Sequence, residues 1–355
     1  MAKKVKMANI ASELGVSTVT VSKALSGQKG VSEDMREKIK ELANQMGYKQ
    51  PAVIKSTNRN ESYNIGIIVP DRYFGEYESF YWKLYQEVAT KAFQKECFTL
   101  LEVISMEDEK NSILPKLIRE KKVDGVILIG RPSNGYIQNL RSDESIPVQC
   151  LDFFDETSNC DAVISDGYYG TYMLMNYLFD MGHKDIAYVG TLLYTGSIND
   201  RYFGYCKAML EHGIKVSEEW ILDDRDWETG DVASFKFDFP EKMPTAFVCN
   251  CDLTASTLIK ALKERGYRIP EDISIVGFDN YLYPGLCDIG ITTYDVNVKE
   301  MARRSINMLL KKMSGEIYKS GLSIVEGNIV YKDSVARLHL DLPYHSMNYL
   351  KEGNS

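Results

Sequence analysis

Two places in the chain hold residues whose types and spacing could do chemistry. Near the start, Gly15-Val16-Ser17-Thr18-Val19-Thr20 is followed one turn later by Lys23. Hydroxyls and an ammonium at the start of a short helix can bond phosphate oxygens and base edges. A valine among them can pack on a thymine methyl. Further along, acidic residues close apolar, strand-like runs: Asp71, Asp152 with Phe153 and Phe154, and Asp279 with Asn280. Ligands of open parallel sheets bind beyond the carboxyl ends of the strands, so these groups would face a cleft. Plainer roles stand beside these. A recognition-type helix can serve protein contact, and an aspartate after a strand often only caps the next helix.

Catalytic and metal chemistry have little support. No GxSxG, HExxH, Walker-type loop or strand-following GxGxxG occurs. Seven cysteines stand at 97, 150, 160, 206, 249, 251 and 287 without a CxxC pair. The four histidines are scattered (183, 212, 339 and 345), so neither a disulfide framework nor a His/Cys metal cluster is expected. His183, after a glycine at a helix end, reads as a structural residue that satisfies carbonyls. The expectation is a protein that is not an enzyme and needs no cofactor.

The elements that must position these groups follow from breakers and periodicity. Three short helices are expected at about 7–14, 18–25 and 33–46, the first two joined by Gly15-Val16-Ser17. That is the spacing of a helix-turn-helix. Residues 49–64, with Pro51, Ser56 and Thr57, read as a linker. Strand and helix patterns then alternate: strands at Ile65–Val69, Phe98–Ile104, Gly125–Ile129 and Pro147–Asp152, with helices at 78–95 and 108–121. A second series starts near Ala162–Ser165 and continues with strands at Ile186–Gly190, Ala246–Cys249 and Ile273–Val276, and helices at 168–181, 200–212 and 253–265. Short apolar runs separated by such helices imply an α/β body of two doubly wound parallel sheets covered on both faces.

Charge sharpens the division. The 355 residues carry a net charge of −8, which by itself disfavours a nucleic-acid partner. Residues 1–60, however, hold eleven Lys/Arg against five Asp/Glu, a net +6, and the remaining 295 residues carry −14. A basic head on an acidic body suits DNA, with the body discouraging non-specific contact. No apolar run approaches the ~20 residues of a membrane span, and no apolar segment follows Met1-Ala2-Lys3-Lys4, so a cytoplasmic protein is expected.

The head resembles the LacI/GalR (lactose-repressor) family of bacterial transcription regulators. The resemblance is carried by Ile10-Ala11, Gly15-Val16-Ser17, Thr20-Val21-Ser22-Lys23, Leu25-Ser26-Gly27, Val31-Ser32, Arg36, Ile39, Leu42 and Gly47-Tyr48. It implies that Thr18 and Val19 read bases, that Lys23 reaches a base or phosphate, and that Ser17, Thr20, Ser22 and Tyr48 hold the DNA backbone. Lys6 stands where the family has a Ser or Thr cap, and Asn9 replaces its usual Asp. Thr57 aligns with the leucine that family members wedge between base pairs, and it is a poor wedge.

The resemblance runs to about residue 336 through Gly182-His183, Arg201, Gly204-Tyr205, Pro244-Thr245-Ala246 and 270–279. It implies a periplasmic-binding-protein-like body with a ligand cleft between two subdomains crossed by three strands. By that resemblance the effector contacts are Phe80, Tyr81, Asp152, Arg201, Trp227, Cys251, Asp252 and Asp279, with Cys251 in place of the family's asparagine. Aromatic faces, carboxylates and one arginine would suit a sugar or sugar derivative. Arg201 has a plainer alternative, a pair with Asp200 or another body carboxylate.

The organisation expected is a DNA-binding domain over 1–48, a hinge over 49–63, an effector-binding and dimerisation body over 64–340, and a tail over 341–355. The subdomains are expected at 64–161 with 294–320, and at 162–293 with 321–340. Functionally we expect a homodimeric repressor of a carbohydrate-utilisation operon, with two heads on a pseudo-palindromic double-stranded operator. The alternatives are a transport-type sugar-binding protein and a regulator driven by a protein corepressor.

Overall fold

Breakers alternating with apolar positions at helical spacing make the N-terminal unit helical, as α1 (Met7–Glu13), α2 (Thr18–Leu25) and α3 (Glu33–Gln45). Ile10, Ala11, Val21, Ala24, Ile39 and Ala43 bury together, with Leu14, Val16, Leu42 and Tyr48 packed around them. The chain turns between α1 and α2 at Gly15, whose φ of +64° is reached without strain only by a residue lacking Cβ. Ser17 then caps α2, its Oγ accepting the Thr20 amide at 3.0 Å. Arg36 of α3 donates to the carbonyls of Lys23 at 3.4 Å and Ala24 at 3.1 Å. A guanidinium is favoured there by the negative end of the α2 dipole.

This computed structural model describes residues 7–25, 30–46, 48, 62–74, 79–133, 135–141, 146–155 and 160–338. Lys6, the linker with Thr57, and the tail 341–355 lie outside the described residues.

In chain order the body contains β1 (Asn64–Pro70), α4 (Phe80–Phe93), β2 (Phe98–Ile104), α5 (Met106–Lys110), α6 (Lys116–Arg119) and β3 (Gly125–Ile129). Next come α7 (Tyr136–Leu140), β4 (Val148–Leu151), β5 (Asp161–Ser165), α8 (Gly167–Asp180), β6 (Ile186–Val189) and α9 (Gly196–Glu211). The rest is β7 (Ile221–Leu222), β8 (Ala246–Cys249), α10 (Asp252–Glu264), β9 (Ser274–Asp279), β10 (Thr292–Asp295), α11 (Val298–Ser314), β11 (Leu322–Val325) and β12 (Asn328–Val330).

Among the described residues these strands form two six-stranded sheets, ordered β11-β5-β4-β3-β1-β2 and β12-β10-β9-β8-β6-β7. All pairings are parallel except β10 with β12. The two orders are the same under the exchange of β1–β5 for β6–β10 and of β11 for β12, so the five parallel strands of each half are topological copies and only the added edge strands β11 and β12 differ in direction. Every residue of β3, β4, β6, β8 and β9 is buried, as continuous apolar runs covered on both faces require.

Three expectations change here. The strand at 161–165 pairs with β4 and closes the first sheet, whereas the sequence reading began the second subdomain at 162. Likewise β10 belongs to the second sheet and β11 to the first, so the chain crosses between sheets after 165, after 295 and after 325. Sheet membership is set by which edge accepts the strand, and an apolar run does not encode that. The single helix expected at 108–121 is two short ones, because Pro115 has no amide to continue the first and Ser112 turns at φ +53°.

Candidate functional site

On the head, Ser17, Thr18, Val19 and Ser22 are exposed, while Thr20, Lys23 and Tyr48 are partly buried. Val19 is 61% exposed on a helix whose opposite side, Val21 and Ala24, is buried. An apolar side chain left in water at the first turn of a capped helix is the arrangement that a groove-reading helix needs. The Ser17 and Thr20 hydroxyls are already bonded to each other at 2.9 Å. Tyr48 packs on the head core, and burial raises its phenol above the ordinary value.

In the body, Asp152 directly follows β4 and Asp279 ends β9, the third strand of each sheet. These topologically equivalent aspartates both adopt positive φ, +67° and +97°. Left-handed backbone at a non-glycine residue is strained and concentrates at ligand sites, and here it marks the same position twice. Arg201 of α9 joins the pair. It donates to Asp279 Oδ1 at 3.2 Å and to the Asn250 carbonyl, and its guanidinium lies 4.0 Å over the Phe278 ring. The plain alternative for Arg201, a carboxylate partner, is therefore met by Asp279. Burial opposes the arginine's charge, and Asp279 and Asp152 more than offset it, raising its pKa. Burial pushes the Asp152 carboxyl up to about 7, against the pull of Arg201 and a hydrogen bond from Tyr81, with Asp279 adding to the rise. Asp279 is raised by the same burial, against Arg201 and Lys83.

Beside this cluster lies a cavity of about 310 Å³ between the sheets. One wall is Tyr73, Tyr81, Asp152, Phe153 and Phe154, and the facing wall is the first turns of α9, Thr195, Gly196, Ser197 and Asp200. The rings of Tyr73 and Tyr81 stand 4.3 Å apart at 38°. Tyr73 had no signal in the sequence reading. Its place comes from Gly130, where a Cβ would stand 2.6 Å from the ring, and from its bond to the Arg131 carbonyl at 2.9 Å. The neighbouring Arg72 bonds Glu109 at 2.6 Å and the same carbonyl, holding that loop in place.

Of the eight residues expected at the effector, Tyr81 and Asp152 line the cavity. Phe80 meets the edge of Tyr81 at 5.6 Å. Trp227 is 58% exposed and stands edge-on to Tyr194 at 5.7 Å. Cys251 Sγ caps α10 through the Thr254 amide at 3.4 Å, and burial pushes its thiol up to about 11. Asp252 accepts the Tyr281 amide at 3.0 Å and packs so closely on Gly277 that a Cβ there would overlap it. These four, with Arg201 and Asp279, do not line the cavity.

The reading also missed a buried polar network behind the second wall. Asp224 accepts the Thr191 amide at 2.9 Å, Arg225 at 2.8 and 2.9 Å, Thr254 at 2.6 Å, and the Asn250 amide. Burial opposes its charge, and these donors, Arg225 foremost, hold its carboxyl below the usual range. Asp224 and Arg225 are sequence neighbours of unremarkable type, so only the packing reveals them. His183 is structural as expected, yet its ring bonds Thr245 Oγ1 and the Ala336 carbonyl, both at 3.0 Å, and not its own helix end.

Among the described residues no group of His, Cys, Asp and Glu is arranged to hold a metal ion, and no helix is long and apolar enough to cross a membrane.

Residues 6–50 match the family of bacterial regulatory proteins, lacI family, and residues 175–335 match the periplasmic binding protein-like domain. The chain is 28% identical over 332 residues to the HTH-type transcriptional repressor PurR of Vibrio cholerae serotype O1 (strain M66-2), a match covering 93% of this chain and 98% of that one. It is 28% identical over 336 residues to the HTH-type transcriptional repressor CytR of Escherichia coli (strain K12), covering 94% and 96%. Two solved structures share the fold. The transcriptional regulator CelR–cellobiose complex has a TM-score of 0.64 at 20% identity, covering 93% of this chain and 99% of that one. The lac repressor dimer bound to operator and the anti-inducer ONPF has a TM-score of 0.61 at 20% identity, covering 94% and 100%.

Proposed function

We propose that the chain, whose residues 6–50 match the lacI family of bacterial regulatory proteins and which is 28% identical to the repressor PurR along almost its whole length, is a DNA-binding transcription regulator of that family rather than an enzyme, and that it represses a carbohydrate-utilisation operon under control of a sugar in the body cleft. The observation that carries the effector half of this reading is the cavity of about 310 Å³ between the two sheets, walled by Tyr73 and Tyr81 and edged by Asp152 and Asp200. Rings cover the apolar faces of a sugar and carboxylates accept its hydroxyls. We assign direct contact to Tyr81 and Asp152, and a supporting role to Phe80, Arg201, Trp227, Cys251, Asp252 and Asp279.

For DNA, Thr18 and Val19 meet base edges, Lys23 meets a base or phosphate, and Ser17, Thr20, Ser22 and Tyr48 brace the backbone. Residues 1–48 act as the head, 49–63 as the hinge, and 64–340 as the effector-binding and dimerising body. Two copies place two heads on a pseudo-palindromic operator in the cytoplasm. Effector and operator are then linked through one closing element, so each changes the other's affinity by the same factor.

A gel shift on the DNA upstream of the chain's own gene tests this, using the intact chain and residues 63–355, with and without a sugar panel. The intact chain should retard the fragment, at least one sugar should alter the shift, and the truncated chain should not bind. Equal binding by the truncated chain would overturn the reading.

A further inference from the structure

The charges around the cavity are unequal. Asp152, Asp155 and Asp200 line it, and among its described lining residues Arg131 supplies the positive charge. Arg131 stands 3.9 Å from Asp155, so that charge is largely matched within the wall. Arg201, just behind, is committed to Asp279 and the Asn250 carbonyl. Arg201 attracts Asp152 and the exposed Asp200 from behind, yet withdrawal from water still raises the pKa of both, and the wall itself carries three carboxylates against one guanidinium. A buried carboxylate in that position gains most from a ligand that brings a cation.

The first turn of α9 faces the same space. Thr195 Oγ1 already caps it through the Ile198 amide at 3.2 Å, which leaves Gly196 and Ser197 at the cavity edge. A helix N-terminus carries roughly half a positive charge, enough to favour a hydroxyl oxygen but less than two carboxylates. A phosphate dianion placed here would lie against Asp152 and Asp200, with the nearby guanidiniums of Arg131 and Arg201 already paired to Asp155 and Asp279.

We propose that the effector of this cleft carries an ammonium group on a polyhydroxylated frame, an aminosugar in class, and that the cleft excludes phosphorylated sugars. The ammonium would lie between Asp152 and Asp200, with ring hydroxyls on the α9 turn and the sugar face on Tyr73 and Tyr81. This rests on the sugar reading of the cleft given above.

The test is a thermal-shift titration of the full chain against matched sets built on glucose, galactose and mannose. Each set contains the parent hexose, its 2-amino form, the N-acetylated amine and the 6-phosphate. The amine of one set should bind about tenfold tighter than its N-acetylated and parent forms, a difference of roughly 1.4 kcal/mol. Its 6-phosphate should give no shift, and Asp200→Asn should erase the preference for the amine. An amine that binds no better than its N-acetylated form, or a 6-phosphate that binds as well as its parent, overturns the charge inference and leaves the sugar reading standing. Silence from all three sets overturns both. If Asp200→Asn melts early without ligand, the amine against N-acetyl comparison on the unaltered chain decides alone.

Discussion

Arg201 illustrates how one residue can have the right chemistry and a changed role. Its buried guanidinium is bound by Asp279 and the Asn250 carbonyl, so removing it strands a buried carboxylate. Truncating one partner of such a pair costs on the order of 3–5 kcal/mol. Arg201→Ala should therefore lower the urea midpoint of the body as well as silence the effector, and an unchanged midpoint would show the pair to be dispensable. A cleaner probe of the cleft is Tyr81→Phe, which keeps the ring and removes the hydrogen bond to Asp152. In the head, Lys23 is on the helix that presents Thr18 and Val19. Lys23→Ala should weaken operator binding and reduce the salt slope of log K by about one. A gel-shift series from low to moderate salt reads that slope, and an unchanged slope removes Lys23 from the interface.

Helices and strands carry a second kind of constraint, the space between them. At Gly204 of α9 a Cβ would stand 2.1 Å from the Tyr168 carbonyl of α8, so the two helices touch backbone to backbone. Backbone cannot swing aside as a side chain can, and Gly204→Ala should cost at least the ~1–3 kcal/mol typical of overpacking. Gly196, at the start of the same helix, has nothing within 4 Å of its Cβ position. Gly196→Ala should leave the urea midpoint nearly unchanged or raise it slightly, since alanine is the better helix former, and a loss equal to that at Gly204 would mean that contact does not set the effect. Gly204-Tyr205 was conspicuous in the sequence only through family resemblance. Its physical reason, a helix crossing at carbonyl distance, needed coordinates. The breakers at Gly15 and Pro115 are both legible directly, and Pro115 divides the single helix expected over 108–121. Edge strands β7, β11 and β12 give little sequence signal, because two to four residues with only one buried position at most leave no apolar run.

At the scale of the whole body, pH becomes a handle. The folded Asp152 carboxyl is raised to about 7 by burial, from about 3.9 in an unfolded chain. The folded state thus keeps a proton that the unfolded chain releases, so the contribution is fully present below about pH 4. It is lost as pH rises through about 7, at on the order of 1.4 kcal/mol per pH unit inside that window. Asp279 and Asp252 are raised as well and act with the same sign, whereas Asp224 is depressed and acts only at lower pH. Asp152→Asn removes one site, so its stability relative to the unaltered chain should climb between pH 5 and 8. Urea unfolding of both at the two pH values measures this, and a constant difference would return Asp152 to an ordinary carboxylate.

Local rules were enough for the helix-turn-helix, the alternation of strand and helix, and the split of −8 into a +6 head and a −14 body. Each depends on composition or on residues a few positions apart. Long-range hydrogen bonding decided the rest. It placed β5 in the first sheet and β10 in the second, and set Asp152 and Asp279 at equivalent strand ends. It also brought Tyr73 over Gly130 from fifty-odd residues away. A strand's apolar run states that both faces are buried but not which neighbour buries them. For that reason the acidic strand ends were readable from the chain, while the walls of the cavity beside them were not.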